Sequence, residues 1–231
     1  MTQDLRLHYA PDNASLVIRL ALLEMDVPFD TVLVDRRVRA QDSAAYRALN
    51  PNRLIPVLET PQGSLFETAA ILLWLVDTYE QLGPKAHERG DFLKWLFFAS
   101  NTLHADLRIL FYAEKYIDAS EAETLRAGIR PRLRHHLGLL DQVAKDAPSW
   151  FSAETPSVLT YYVACMMRWM AIYPAGSDRS WYNISDTPYL QRILQALETR
   201  TATRAAIQAE GLSAIPFTSP TYATPPEGSA Q

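Results

Sequence analysis

Asn50-Pro-Asn-Arg-Leu-Ile-Pro-Val-Leu58 and Glu67-Thr-Ala-Ala-Ile71 bracket the part of the chain that decides the fold. Between them, Pro56-Val-Leu-Glu-Thr60 and Ser64-Leu-Phe66 read as short strands. The intervening Thr60-Pro61-Gln62-Gly63 has proline second and glycine fourth, which suits a type I turn, so the pair is a hairpin. From Glu67 or Thr68 to about Tyr79 the apolar residues Ile71, Leu72, Leu75 and Val76 keep the spacing of a helix packed on a sheet. Working backwards, Ser43 to Leu49 is a short helix stopped by Asn50-Pro51. Leu5 to Tyr9 alternate as a half-buried strand, and Pro11, Asp12 and Asn13 break it. Asn13 or Ser15 then caps a helix carrying Leu16, Leu20 and Leu23, and Thr31 to Val34 is a β-rich run beyond Pro28. The order is β-α-β-α-β-β-α, a mixed four-stranded sheet with helices, and it contains no glycine-rich nucleotide loop.

Beyond Gln81-Leu-Gly-Pro84 only helical periodicity remains. Phe92, Trp95, Leu96, Ala99, Leu103, Leu107 and Leu110 form one run between Glu88 and about Tyr116. Leu125, Ile129, Leu133, Leu137 and Leu140 form a second. Ser157–Tyr173, Pro188–Leu197 and Thr201–Ala209 follow. The expected organisation is a mixed domain over 1–80, a linker over 81–87, an all-helical domain over 88–212 and a Pro/Ser/Thr-rich tail over 213–231. The tail is expected to lie on the body as an extended strap with loose final residues.

The 231 residues include 22 Lys plus Arg against 26 Asp plus Glu, a formal charge of −4. That balance argues against a nucleic-acid partner, which requires basic surface to neutralise phosphates. Cys165 is the only cysteine, so an intrachain disulfide is impossible and no thiolate metal site is expected. No basic segment followed by an apolar run opens the chain, and no apolar window approaches the roughly 20 residues that span a bilayer, so no membrane partner and a cytoplasmic location are expected. Arg126, Arg130, Arg132 and Arg134 read as a solvated helix face, and His135 and His136 lack a nearby acidic pattern.

Small mixed sheet first and helices second is the layout of the glutathione S-transferase superfamily, whose first domain is thioredoxin-like. The residues strengthen the resemblance. Asn50–Leu58 resembles the family's Asn-Pro-x-Gly-x-(Val/Ile)-Pro-x-Leu run, and Glu67–Ile71 resembles its Glu-(Ser/Thr)-x-Ala-Ile element. Ser157-Val-Leu-Thr160 is similar to its Ser-x-x-Asp helix start, with Thr160 in place of the acid, so the charged half of that capping box is missing. Tyr9-Ala-Pro-Asp-Asn-Ala-Ser-Leu16 is similar to the bacterial beta-type Tyr-x-Pro-Gly-Ala-Cys-Ser-Leu. Here Ala14 takes the place of the cysteine, which puts a mixed-disulfide chemistry at that position in doubt.

The resemblance implies a glutathione site on the first domain. Pro56 is then cis, and the main chain of Ile55 pairs with the cysteinyl backbone of the tripeptide. Arg53 and Leu54 precede that edge, with Arg53 where many relatives carry glycine. The Thr68 N–H and hydroxyl would donate to the γ-glutamyl carboxylate at a helix start, and the Glu67 carboxylate would meet the γ-glutamyl ammonium. The thiol would lie at the start of the first helix, with Ser15, Asn13 and Tyr9 as candidate donors, Ser15 first. A free thiol with a pKa of roughly 8.5 is only about 3% thiolate at pH 7; lowering it to about 6.5 requires roughly 2.7 kcal/mol of preferential thiolate stabilisation. A charge-assisted hydrogen bond with the helix dipole supplies that order of energy.

His104 resembles the beta-type Leu-His-Lys pattern with Ala105 at the lysine. Arg108 and Tyr112 follow on roughly the same helical face, as candidate substrate contacts, with the electrophile expected between the domains. The implied activity is a glutathione transferase acting on a small, largely apolar electrophile, with glutathione as co-substrate, no metal, and a homodimer as the assembly. The alternative is a noncatalytic glutathione-binding or interaction module with the same fold.

Overall fold

A computed structural model describes residues 5–230. The sheet contains β1 (Leu5–Tyr9), β2 (Phe29–Leu33), β3 (Val57–Thr60) and β4 (Gly63–Phe66) in the order β2-β1-β3-β4. β1 pairs parallel with β2, Leu7 opposite Thr31, and antiparallel with β3, Leu7 opposite Leu58; β3 and β4 form the expected hairpin. Helices α1 (Ser15–Glu24), α2 (Ala44–Leu49) and α3 (Thr68–Tyr79) complete the thioredoxin-like arrangement. Leu5, Leu7, Leu16, Leu20, Leu58, Ile71, Leu72 and Leu75 are buried in its core.

The remaining helices are α4 (Arg89–Phe98), α5 (His104–Phe111), α6 (Ala122–Asp146), α7 (Val158–Ile172), α8 (Pro188–Glu198) and α9 (Thr201–Glu210). The run expected over 88–116 is divided, because Ala99–Leu103 forms a π turn between α4 and α5. Every residue of α7 except Ala171 is buried, as a helix apolar all round requires. Its start corrects one expectation. The Thr160 hydroxyl accepts from the Ser157 N–H (2.8 Å) while the Thr160 N–H donates to the Ser157 hydroxyl (3.2 Å), so an uncharged side chain completes the capping box.

The chain resolves into two compact units whose bounds differ from the expected ones. The first comprises the chain up to Gly83, Glu198–Pro216 and the segment from Thr221. The second comprises Pro84–Leu197 and Phe217–Pro220. Helix α9 therefore belongs with the sheet, and the reason is chemical. Arg200 pairs with Glu24, and Glu210 pairs with Arg19, both partners lying on α1. The last described residues make specific contacts with the body. The Tyr9 hydroxyl donates to Glu227, Gly228 lies against Leu33 and Pro11, and the Ala230 carbonyl accepts from Arg36 at 3.4 Å.

In the second unit the arginine-rich face of α6 is paired rather than simply solvated: Arg126 with Glu114, Arg130 with Glu123, and Arg132 with Asp106. His136 also has an acidic neighbour, Asp106, at 2.9 Å. Burial alone would raise the Asp106 carboxyl, but the Arg132 and His136 contacts hold it below its ordinary value. No helix among the described residues is long and apolar enough to cross a membrane, and no group of three or more His, Cys, Asp or Glu among them could hold a metal ion.

Candidate glutathione site on the first unit

The loop from Asn50 to Pro56 is built by side chains that bind its main chain. Asn50, nearly fully buried, donates through Nδ2 to the Leu54 carbonyl (2.8 Å) and accepts the Asn52 N–H through Oδ1 (3.0 Å). The Tyr46 hydroxyl donates to the same Leu54 carbonyl at 2.7 Å. Leu54 is thereby fixed by its backbone while its side chain is exposed. The Ile55 side chain packs on Val34, Tyr46 and Val57, and its main-chain groups make no hydrogen bond among the described residues. The Ile55–Pro56 peptide is cis. Arg53 has φ +58°, the left-handed region that glycine enters at no steric cost, which accounts for the glycine of the resembled motif. Its guanidinium reaches Asp42 at 3.4 Å on the surface.

Across the hairpin, Glu67 has φ +72° and ψ +115°, a region that costs a non-glycine residue of order 1–3 kcal/mol. That conformation turns the chain from β4 directly into α3. The Glu67 side chain is exposed and does not cap the helix. The N–H groups of Thr68, Ala69 and Ala70 have no intrahelical acceptor, since the first helical bond is from Ile71 to Glu67. An anion is favoured there by N–H groups and dipole together, beside a carboxylate able to receive an ammonium. The two features suit a zwitterion.

At the start of α1 the structure redistributes the three candidate donors. Ser15, placed first by sequence, has a hydroxyl with no exposed surface that donates to the Ala10 carbonyl (3.0 Å) and accepts the Ala10 N–H (3.2 Å), bracing the turn. The Tyr9 hydroxyl gives its proton to Glu227, and burial and then that carboxylate push the phenol well above its ordinary pKa. Asn13 is half-buried; its Oδ1 accepts the Ala14 N–H at 2.8 Å, and its Nδ2 makes no hydrogen bond among the described residues. Of the three, only Asn13 offers a donor that is both fixed and unused.

In the helical unit, the π turn brings His104 onto the aromatic face of α7, where its Nδ1 lies 2.7 Å from the Tyr162 hydroxyl and its ring packs on Trp169. Burial, and then the Arg108 charge, push the imidazole down to about 4, so it is neutral at physiological pH. Arg108 is half-buried on the same helix. Tyr112 stands just past its end, with the Lys115 ammonium over its ring at 4.3 Å. Sequence reading missed Asn50 and Tyr46, which shape the Leu54–Ile55 edge, and Arg19 and Glu210, which reach Tyr9 and the Asp12 turn ahead of α1. Asn50 carried a signal, since a polar residue ahead of proline at the end of a helix is a turn former.

Comparison with known proteins agrees with this architecture. Residues 14–78 match the family model for the glutathione S-transferase N-terminal domain. Over 221 residues the chain is 27% identical to glutathione S-transferase GST-4.5 of Xanthomonas campestris pv. campestris, covering 90% of this chain and all of that one. Among solved structures, the bacterial beta-class glutathione S-transferase of Sphingomonas chungbukensis superposes with TM-score 0.71 at 26% identity, covering 89% of this chain and 98% of that one. A ternary complex of BphK, a bacterial enzyme of the same name class, superposes with TM-score 0.73 at 28% identity, covering 90% and 100%. A thioredoxin-like unit with a cis-proline edge, followed by an all-helical unit, defines the class. Residues 14–78 belong to the glutathione S-transferase N-terminal domain family, and over most of its length the chain is similar to bacterial glutathione S-transferases.

Proposed function

We propose that this protein is a cytoplasmic, homodimeric glutathione transferase that activates the glutathione thiol for attack on a small, largely apolar electrophile. The observation that carries the reading is the pairing, on one unit, of an unpaired Ile55 main-chain edge with the uncapped start of α3 beside the exposed Glu67 carboxylate. The tripeptide's cysteinyl backbone pairs with Ile55, its γ-glutamyl carboxylate with the Thr68 N–H and hydroxyl, and its ammonium with Glu67. Its sulfur then lies at the start of α1. There the Asn13 amide donates to it, and the helix dipole favours the thiolate. An amide donor does not titrate, so it stabilises the thiolate across the whole working range. With Ala14 where the beta type has cysteine, no mixed disulfide forms at that position. In a substitution the thiolate lone pair becomes the carbon–sulfur bond while the pair of the broken bond departs with the leaving group, and in an addition the carbanion formed takes up a proton from solvent. His104, neutral, with Arg108 and Tyr112, contributes the polar contacts to the acceptor.

Calorimetry with glutathione, thiolate absorbance of the complex and turnover against aryl halides, epoxides and activated alkenes test the reading together. The expected result is binding, a bound thiol pKa lowered by about 2 units and turnover with at least one class. Binding with an unshifted thiol and no turnover would instead identify a binding module.

A further inference from the structure

Two carboxylate–guanidinium contacts tie α1 to α9. Glu24 meets Arg200 near the end of α1, and Arg19 meets Glu210 at 2.7 Å with Glu210 wholly buried. The second contact does more than join the helices. While Glu210 Oε1 accepts from Arg19 Nε, its Oε2 accepts the main-chain N–H of Asp12 at 2.8 Å. Asp12 has φ +49°, a left-handed turn, and it immediately precedes Asn13. The Arg19 guanidinium lies 4.5 Å over the Tyr9 ring at the end of β1. One carboxylate from the far end of the chain therefore fixes the end of β1, the loop and α1 relative to one another.

Stability alone does not account for this choice. A buried ion pair gains little over well-packed apolar side chains, because desolvation of both charges offsets their attraction. What a carboxylate supplies and an apolar group does not is two acceptors at fixed positions.

We infer that Glu210 is a positioning residue for thiol activation: through the Asp12 N–H and Arg19 it sets the left-handed turn that presents Asn13 to the sulfur. The inference rests on the proposed transferase reading. It acts through other groups, so Glu210 itself touches neither glutathione nor acceptor.

Glu210→Gln is the informative change. An amide has one acceptor oxygen, so either the Arg19 N–H or the Asp12 N–H must face an NH2 group, and the turn loses one of its two anchors. Glu24→Gln is the control, since it weakens the other α1–α9 contact without reaching the loop. In the full-length protein, Glu210→Gln should raise the bound thiol pKa by about one unit and lower kcat/KM about tenfold near neutral pH, with the glutathione Kd changed less than about threefold. Glu24→Gln should lower Tm and leave the bound thiol pKa where it was. If Glu210→Gln does not fold, Glu210→Asp retains the charge for Arg19 but shortens the reach to Asp12, and it should show the same rise in thiol pKa. An unmoved thiol pKa in the folded Glu210 variant, with glutathione still bound, overturns the inference alone. Failure of the unmodified protein to bind glutathione removes the transferase reading and the inference together.

Discussion

Asn13 and Ser15 stand two positions apart and have opposite fates, and the difference is decided by where each side chain's hydrogen bonds go. The Ser15 hydroxyl is consumed by both main-chain groups of Ala10, inside the protein. The Asn13 carboxamide is anchored at one end by the Ala14 N–H and open at the other. Asn13→Ala should therefore raise the bound glutathione thiol pKa by one to two units (about 1–3 kcal/mol of lost charge-assisted hydrogen bonding) and depress kcat/KM in proportion, with little change in Tm. Ser15→Ala should do the reverse. Two buried Ala10 groups lose their partner, costing roughly 1–3 kcal/mol of stability, while the thiol pKa of the folded variant stays put. Ultraviolet titration of the complex and thermal unfolding of both variants separate the outcomes; a thiol pKa that moves only in Ser15→Ala would restore serine as the donor. At Arg53 the left-handed φ makes a further expectation: Arg53→Gly should stabilise by about 1 kcal/mol, read as a raised Tm, because the exposed Asp42 contact it gives up is worth little.

Among the elements, α9 and the segment that follows it meet at one sterically closed point. Gly211 ends α9 with φ +64°, its carbonyl accepts the Thr224 N–H at 2.8 Å, and a Cβ added there would lie 1.9 Å from the Thr224 carbonyl oxygen. Gly211→Ala must displace that strap as well as meet the cost of about 1–2 kcal/mol for a left-handed alanine. The expected result is a Tm lower by several degrees and new proteolytic cleavage between residues 213 and 231; an unchanged digestion pattern would show that the strap is not held there. Such long-range contacts mark the limit of what the sequence displays. The hairpin and the helix start near Glu67–Thr68 were legible because turn residues and apolar spacing act within a few residues, whereas the cis Ile55–Pro56 bond was implied only by the family resemblance. The division of the 88–116 run was not. Phe92, Leu96, Ala99, Leu103, Leu107 and Leu110 are all buried, and the periodicity of the apolar residues continues through the π turn, so the pattern carries no trace of it. The pairing of Asp12 with Glu210 spans 198 residues, and nothing local to either end announces the other.

For the whole molecule, different buried groups set opposite pH dependences in the two units. In the helical unit, His104 is held down at about 4, below its ordinary 6.5. Its contribution is fully present above about pH 6.5 and is lost as pH falls toward 4, because the unfolded chain takes up the proton first; the shift corresponds to about 3 kcal/mol at most. Asp106, held below its ordinary value by Arg132 and His136, adds a loss of the same sign at lower pH. In the first unit, burial raises Glu210 to about 7, opposed by Arg19 and the Asp12 N–H; the charges facing it are Arg19 and Asp12. A raised carboxyl works the other way. Its contribution is present below about pH 4.5 and is lost as pH rises through 7, because the unfolded chain releases the proton first. Above pH 7 the carboxylate offers one oxygen to Arg19 and the other to the Asp12 N–H, so the turn is anchored where burying the charge costs most, a trade of stability for geometry. Hydrogen–deuterium exchange, corrected for intrinsic rates and mapped to each unit, should show the helical unit losing protection from pH 6.5 to 4.5 and the first unit from pH 5 to 8. His104→Gln should flatten the acidic limb of the helical unit alone, and Glu210→Gln the neutral limb of the first unit alone. Protection that moves in the same direction in both units, or a neutral limb surviving in Glu210→Gln, would show that these two groups do not govern it.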